Sequence, residues 1–412
     1  RRNPAMPEPL THCPNCRSAD LDDVHAVAGV PAHSMLLLHD PDAARAFPTG
    51  DIVLAVCGAC GFVTNRAYDS ALESYDAEYE ASQAFSPTFN AFHQALADDL
   101  ITRYSLRGKE VVEIGCGQGE FLRLLCERAD NRGLGFDPGF ANAHGDADGE
   151  RVRVVADYFG PQQPVDEADF VCCKQTLEHI PDTRDFIATV RRTLRADARI
   201  PVFFQVPDFD RIVTEGAFWD VYYEHCSYFT APSLIRVFQD NGFDVQACRS
   251  EYDDQYLMIE ATPGNGAPGR AVLGVEAVVA RVRGFAEACA RQRACWTDFL
   301  RAAAARGERV ALWGGGSKAV AFLTTLGAGA EVAYAVDVNP RKQGCYLPTT
   351  AHQVVAPARL AEEPVDIVVA MNPIYLAEIG QDLDRLGVAP RLLSVAHFQA
   401  DSQAALAMGA ST

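Results

Sequence analysis

From about residue 108 onward, short apolar runs alternate with stretches whose apolar positions recur every three or four residues. VVEI (111–114) reads as a buried strand ending at Glu113 or Ile114. EFLRLLCER (120–128) carries apolar residues at helical spacing. GLGFDP (133–138), VRVVADYF (152–159), DFVCCK (169–174) and PVFFQVPD (201–208) read as further strands, and FIATVRRTL (186–194) as a helix. Residues 268–306 read as helical, with apolar and basic positions interleaved. A second strand, glycine turn and helix then appear in RVALWGGGSKAVAFLTTLG (309–327). EVAYAVD (331–337), VDIVVAMNP (365–373) and PRLLSVAH (390–397) follow as strands. Strands alternating with helices predict mainly parallel sheets, so the chain reads as two Rossmann-like α/β units.

The first glycine turn has the most specific chemistry. Gly115, Gly117 and Gly119 are spaced G-x-G-x-G, directly after Glu113. Glycines there let the backbone turn tightly and approach a ligand closely. A dinucleotide site wants G-x-G-x-x-G, because its third glycine seats the helix beneath a pyrophosphate. S-adenosylmethionine (SAM) has no phosphate and carries a sulfonium cation, so a carboxylate beside the loop is favourable. The E-x-G-x-G-x-G pattern resembles motif I of class I SAM-dependent methyltransferases, and the resemblance extends over residues 108–262. Asp137 lies 18 residues after Gly119, near the roughly 20-residue spacing at which an acid meets ribose hydroxyls. Asp157 ends the third predicted strand, where that family often contacts adenine. DFVCCKQTLEHIPD (169–182) looks like motif IV. The resemblance implies a class I methyltransferase fold and a SAM site drawn from Glu113, Gly115, Gly117, Gly119, Asp137, Asp157 and Gln175.

Composition narrows the classes. A chain of 412 residues exceeds one ordinary core, so two or three domains are expected. It is 48% hydrophobic, yet no apolar run reaches about 18 residues, which predicts no membrane span. The formal charge of −19 disfavours nucleic acid as a partner. An anionic substrate would need locally placed Arg or Lys. Thirteen cysteines, an odd number with several in apolar strands, and an N-terminal RRNPAMPEPL without an apolar signal core predict a reducing, cytoplasmic location.

Four of those cysteines are arranged differently from the rest. Cys13-Pro-Asn-Cys16 and Cys57-Gly-Ala-Cys60 are two C-x-x-C knuckles with 40 residues between them. Each puts two thiolates on one turn, and two turns complete a tetrahedral S4 shell for zinc. A redox C-x-x-C would be single. Four protein ligands close the site, so the zinc is expected to be structural. A module of about 65 residues has little core of its own and needs such a staple.

The order of zinc module, SAM domain and glycine-rich Rossmann-like domain resembles the sugar C-methyltransferases of antibiotic deoxysugar pathways. These methylate C-3 of a nucleotide-linked 4-keto-6-deoxyhexose. The stretches that carry the resemblance are CPNC…CGAC, VVEIGCGQGEF, FWDVYYEHCSYFT (218–230), DVNPRKQGCYLP (337–348) and MNPIYLAEI (371–379). It implies a zinc-binding module at 1–68, a methyltransferase domain at 69–262, and a helical linker with a Rossmann-like substrate domain at 263–412. WGGGSKAVAFL and EYDDQYLMIEA (251–261) depart from the family where a nucleotide-sugar should rest. The oligomeric state is left open.

Methylation of carbon beside a ketone needs a base to make an enolate and a donor to hold its oxygen. Tyr222-Tyr223-Glu224-His225 supplies these residue types after the fifth strand. His225 is the candidate base, since imidazole titrates near neutrality. The resemblance gives Tyr222 and Glu224 substrate-contact or supporting roles, and brings a tyrosine from SYDAEYEAS, Tyr75 or Tyr79, over the site. His179 of LEHI reads as helix-start scaffolding. Lys318, Arg341 and Lys342 read either as charge for a diphosphate or as solvated surface groups. The rivals are O-, N- or C-methylation of another small metabolite, a nicotinamide dehydrogenase using the 310–337 loop, and a non-catalytic zinc-dependent interaction protein.

Overall fold

A computed structural model describes residues 10–396, apart from 74–77, 141–150, 164, 166, 196–198 and 265–272. The chain opens with β1 (Leu21–Pro31), α1 (Pro41–Arg45), β2 (Thr49–Cys57) and β3 (Val63–Asn65). β1 and β2 pair antiparallel with Leu21 opposite Cys57. That register brings the residues before β1 to the end of β2, so the two cysteine knuckles meet. Gly61 closes the second knuckle at φ +71°, a conformation that favours glycine.

α2 (Pro87–Tyr104) follows, capped by the Ser86 hydroxyl, which accepts the Phe89 amide. Then come β4 (Glu110–Ile114), α3 (Glu120–Ala129), β5 (Arg132–Phe136), β6 (Val152–Val155), β7 (Phe170–Lys174), α4 (Thr183–Thr193), β8 (Val202–Pro207) and α5 (Phe209–Glu215). The part ends with β9 (Ser227–Tyr228), α6 (Ala231–Asp240), β10 (Phe243–Glu251) and β11 (Tyr256–Pro263). One sheet has the order β10-β11-β8-β7-β4-β5-β6. Its β4–β8 core is parallel, and β11 and β10 join antiparallel. The order reverses between β4 and β7, which opens a crevice at their carboxyl ends. β9 leaves this sheet and pairs with β3 instead.

The predicted helix over 268–306 is two helices, α7 (Val275–Arg283) and α8 (Phe285–Ala305), divided at Gly284. Residues 268–272 lie outside the described residues. Next are β12 (Val310–Trp313), α9 (Ser317–Leu326), β13 (Val332–Val336), β14 (Val354–Val355), α10 (Arg359–Glu362), β15 (Ile367–Ala370), α11 (Leu376–Leu386) and β16 (Arg391–Ser394). Their strands form a parallel sheet of order β14-β13-β12-β15-β16. One buried apolar cluster runs from Val24 and Leu54 through Phe209 and Trp219 to Trp296 and Phe322. The N-terminal sheet, the turn at Phe218–Trp219 and the C-terminal sheet therefore share a core.

Candidate active site

The crevice between β4 and β7 is lined by the glycine turn. Gly115 has φ +69°, and a Cβ on it would lie 2.0 Å from Thr176 Oγ1, so a larger residue would push the two loops apart. Asp137, just past β5, accepts the Gly117 amide and the Gly139 amide, each at 2.8 Å. Burial raises its carboxyl, and the two amides oppose that. Gly119 caps α3 at φ +78°. Gln175 directly follows β7 with φ +51° and a buried Nε2 that has no hydrogen-bond partner among the described residues. A non-glycine residue held in this region costs of order 1–3 kcal/mol, and such positions cluster at ligand sites.

Two predicted SAM-site residues stand differently. Glu113 is buried, and its carboxylate accepts the Leu122 amide and feels Lys174; burial pushes it up to about 7. It supports the loop from beneath α3. Asp157 is exposed two residues beyond β6, which stops at Val155, and its carboxylate accepts the Tyr158 amide. The predicted strand was therefore too long at this end.

Beyond β7, the 3-10 turn Leu177–His179 faces the segment 220–228. The rings of His179 and His225 meet edge to face, 4.8 Å between centroids. Tyr222 packs against His225 at 4.7 Å. His179 is hydrogen-bonded to the Glu224 backbone, and burial lowers it to about 4. His225 is held well below its ordinary value by burial and by His179, with Asp220 acting the other way. Both rings are neutral at pH 7. Glu178 is buried, pushed up by burial to about 8, and neither of its carboxylate oxygens has a hydrogen-bond partner among the described residues. Carboxylate and imidazole atoms of Glu178, His179 and His225 lie within 4.8 Å of one another.

Glu224 does not orient His225. Its carboxylate accepts the Ser34 amide at 3.1 Å and the Ser34 hydroxyl. Tyr79 pairs as a β-bridge with Leu36 and packs edge-on against His33, 5.3 Å between centroids. Burial raises its hydroxyl, and Glu224, Asp137 and Glu178 add to the effect. Tyr75 lies outside the described residues.

The cations also differ from expectation. Lys318 is half-buried and engaged by Asp220 at 2.9 Å rather than standing as a solvated or free charge. Arg341 pairs with buried Glu80 at 3.0 Å, and Lys342 lies 3.9 Å from Asp337. Sequence reasoning passed over Ser34, Asp220, Arg211 and Glu178. Only Glu178 had a signal, in LEHI. Asp220 stands two residues before Tyr222 in the same segment, whereas Ser34 and Arg211 meet it through folding.

With His225 as the expected base, its lowered titration bears on the acid limb of activity. The rate constant kcat/KM should stay level from pH 8 to about 6.5 and fall only below the free imidazole range. A rate profile across pH 5–8 checks this, and a limb above pH 7 would place the base elsewhere.

At the N-terminal knuckles, Cys13 Sγ lies 3.8 Å from Cys60 Sγ and Cys16 Sγ 3.6 Å from Cys57 Sγ. A tetrahedral zinc with bonds of about 2.3 Å needs sulfur separations of about 3.8 Å. The donor set and its spacing fit the ion. Asn15 Nδ2 approaches Cys60 Sγ at 3.7 Å and ties the knuckle to the Ser233 carbonyl at 2.9 Å.

Comparison with known proteins matches two parts of the chain to families. Residues 89–247 match a family described as a methyltransferase domain, and residues 274–388 match the C-methyltransferase C-terminal domain. The C-methyltransferase NovU of Streptomyces niveus is 28% identical over 395 residues, spanning 90% of this chain and 91% of its own. A ubiquinone biosynthesis O-methyltransferase of Methylococcus capsulatus is 31% identical over 124 residues, which is 28% of this chain and 49% of that one. Among solved structures, 1,6-didemethyltoxoflavin-N1-methyltransferase of Burkholderia thailandensis aligns with a TM-score of 0.35 and 18% identity. That alignment covers 42% of this chain and 78% of the other.

Proposed function

We propose that this chain, a SAM-dependent methyltransferase with the domain plan of the C-methyltransferase family, methylates a carbon next to a ketone in a nucleotide-linked keto-deoxysugar of natural-product biosynthesis. The observation that carries the reading is the neutral His225, set against His179 and Tyr222 at the carboxyl end of β7. SAM supplies an electrophilic methyl group. His225 removes the proton from the carbon beside the ketone, and the electron pair moves onto the ketone oxygen. Tyr79, kept protonated by burial, donates to that oxygen. The Tyr222 hydroxyl gives its hydrogen to Asp220 Oδ1 at 2.6 Å, so it meets substrate as an acceptor. The carbon then forms its bond to the methyl group as the carbon–sulfur bond breaks, and the imidazolium releases its proton.

The same reading assigns the SAM site to Glu113, Gly115, Gly117, Gly119, Asp137, Asp157 and Gln175. It assigns structural zinc to Cys13, Cys16, Cys57 and Cys60. The division at 1–68, 69–262 and 263–412 and a cytoplasmic location belong to this proposal. Among the described residues no helix is long and apolar enough to cross a membrane.

Calorimetry with SAM, dTDP and dTDP-4-keto-6-deoxyglucose tests it. Binding of SAM and of the nucleotides supports the sugar reading. SAM binding without nucleotide affinity leaves a methyltransferase of another small metabolite, to be sought by SAM turnover on a metabolite panel. Asp137→Ala should weaken SAM at least tenfold, since a hydrogen bond to a charged group contributes about 1.5–3 kcal/mol. Unchanged affinity would remove Asp137 from the site.

A further inference from the structure

We infer that Lys318 is a positioning residue of the active site: from the C-terminal domain it holds Asp220, and through Asp220 it sets the Tyr222 hydroxyl beside His225. This rests on the placement of His225 and Tyr222 in the reaction proposed above.

Lys318 stands in the first turn of α9, directly after the glycine turn. Its side chain is 19% exposed and that of Asp220 5%. Asp220 Oδ2 accepts Lys318 Nζ at 2.9 Å and Arg211 Nη2 at 2.7 Å, while Oδ1 accepts the Tyr222 hydroxyl. Arg211 reaches Glu215 with its other arm at 2.8 Å. Two cations and two carboxylates thus balance in a buried cluster. Removing one cation leaves an uncompensated carboxylate next to the catalytic tyrosine, a costly arrangement in a poorly solvated place. Burial works against Asp220 as an anion, but Lys318 and Arg211 keep its carboxyl well below the usual range.

The residue before Lys318 acts on the same segment. The Ser34 hydroxyl, given to Glu224, in turn accepts that of Ser317, Oγ to Oγ 2.6 Å. Phe218 stacks on Phe322 of α9, 5.9 Å apart and 16° from parallel. Consecutive residues of one turn therefore fix both ends of the segment from Asp220 to Glu224. In sequence, GGGSK suggests a phosphate cradle with its lysine turned to a ligand. In the fold the lysine turns to the catalytic segment of another domain.

A purely structural ion pair would alter stability alone. A positioning pair must also act through Tyr222 and change the field at His225. That ring is faced by His179 and Glu178 of the 177–179 turn, with His33 beyond. Tyr222 of its own segment and Tyr228 of β9 pack against it, Asp220 acts on it by its charge, Glu224 turns to Ser34, and Arg211 and Lys318 stand behind Asp220.

The test uses the full chain with Lys318→Met, Tyr222→Phe and the double variant. Methyl transfer from SAM to dTDP-4-keto-6-deoxyglucose is followed, and His225 is titrated by 15N NMR, assigned with His225→Gln. Lys318→Met should lower kcat at least tenfold with KM for SAM within twofold. The double variant should be no slower than the slower single variant, because both act through one contact. The His225 titration should move to higher pH, since Asp220 loses a cation, and Lys318→Arg should return it. Losses that multiply, together with an unmoved His225 titration, would overturn the inference. If the sugar is not turned over, the substrate reading fails and the titration alone decides the role of Lys318. If Lys318→Met does not fold, Lys318→Gln carries the same expectations.

Discussion

His225→Gln will slow methyl transfer by about 10²–10⁴-fold, the range over which a positioned general base acts, and will leave SAM affinity within a few-fold. Glutamine keeps a polar side chain of similar reach but cannot take a proton at neutral pH. The ring lies against Tyr222 and His179, whereas the SAM loop is held by Asp137 and the Gly115–Thr176 contact. The two readouts should therefore separate. His225→Ala should lose at least as much rate and also leave a gap beside two aromatic rings. His179→Gln is expected to lose less, because His179 is hydrogen-bonded to the Glu224 backbone and supports the segment. Steady-state rates and SAM calorimetry on the same preparations check this. If His225→Gln keeps a tenth or more of the rate while His179→Gln loses nearly all of it, the base is His179 and the proposed roles exchange.

The legible parts of the chain were those written locally. The G-x-G-x-G turn, Asp137 at its spacing and the strands at 111–114, 170–174 and 202–207 follow from short-range periodicity and glycine geometry, and the sheet places them as expected. The knuckle pair was legible because each C-x-x-C is a local turn, and the β1–β2 register then joins them. The end of β6 was misread because the residues after Val155 keep an apolar pattern without a ladder partner. The pairing of Asp220 with Lys318 was illegible in principle. The two are 98 residues apart, and only the packing of α9 on Phe218 and Trp219 brings them together. Ser34 is a similar case, 190 residues from Glu224.

Loss of the zinc shell should be the largest structural effect, and it should reach the active site. Cys57→Ser removes one of four ligands and exposes the rest, on a scale set by the about 10–16 kcal/mol that structural zinc contributes in isolated modules. Bound metal, by atomic emission, is expected to fall from one zinc per chain to a small fraction, with a clear drop in melting temperature. The consequence for catalysis follows from strand pairing. β3 pairs with β9 through Val63–Tyr228 and Thr64–Ser227. The Asn65 amide and the Thr64 hydroxyl both donate to the Cys226 carbonyl, at 3.0 and 3.1 Å. The Tyr228 hydroxyl in turn bonds the backbone of Tyr222 at 3.2 Å. The sheet that follows the zinc knuckles thus carries the segment with His225, and the Gly115–Gly119 turn lies on a different sheet. Zinc depletion should lower turnover by tenfold or more and change SAM affinity little. Cys172→Ser, a buried cysteine outside the cluster, serves as the control for simple destabilisation and should keep its zinc. A chain that retains full turnover and melting temperature with no metal bound would show that the four thiols hold this module without an ion.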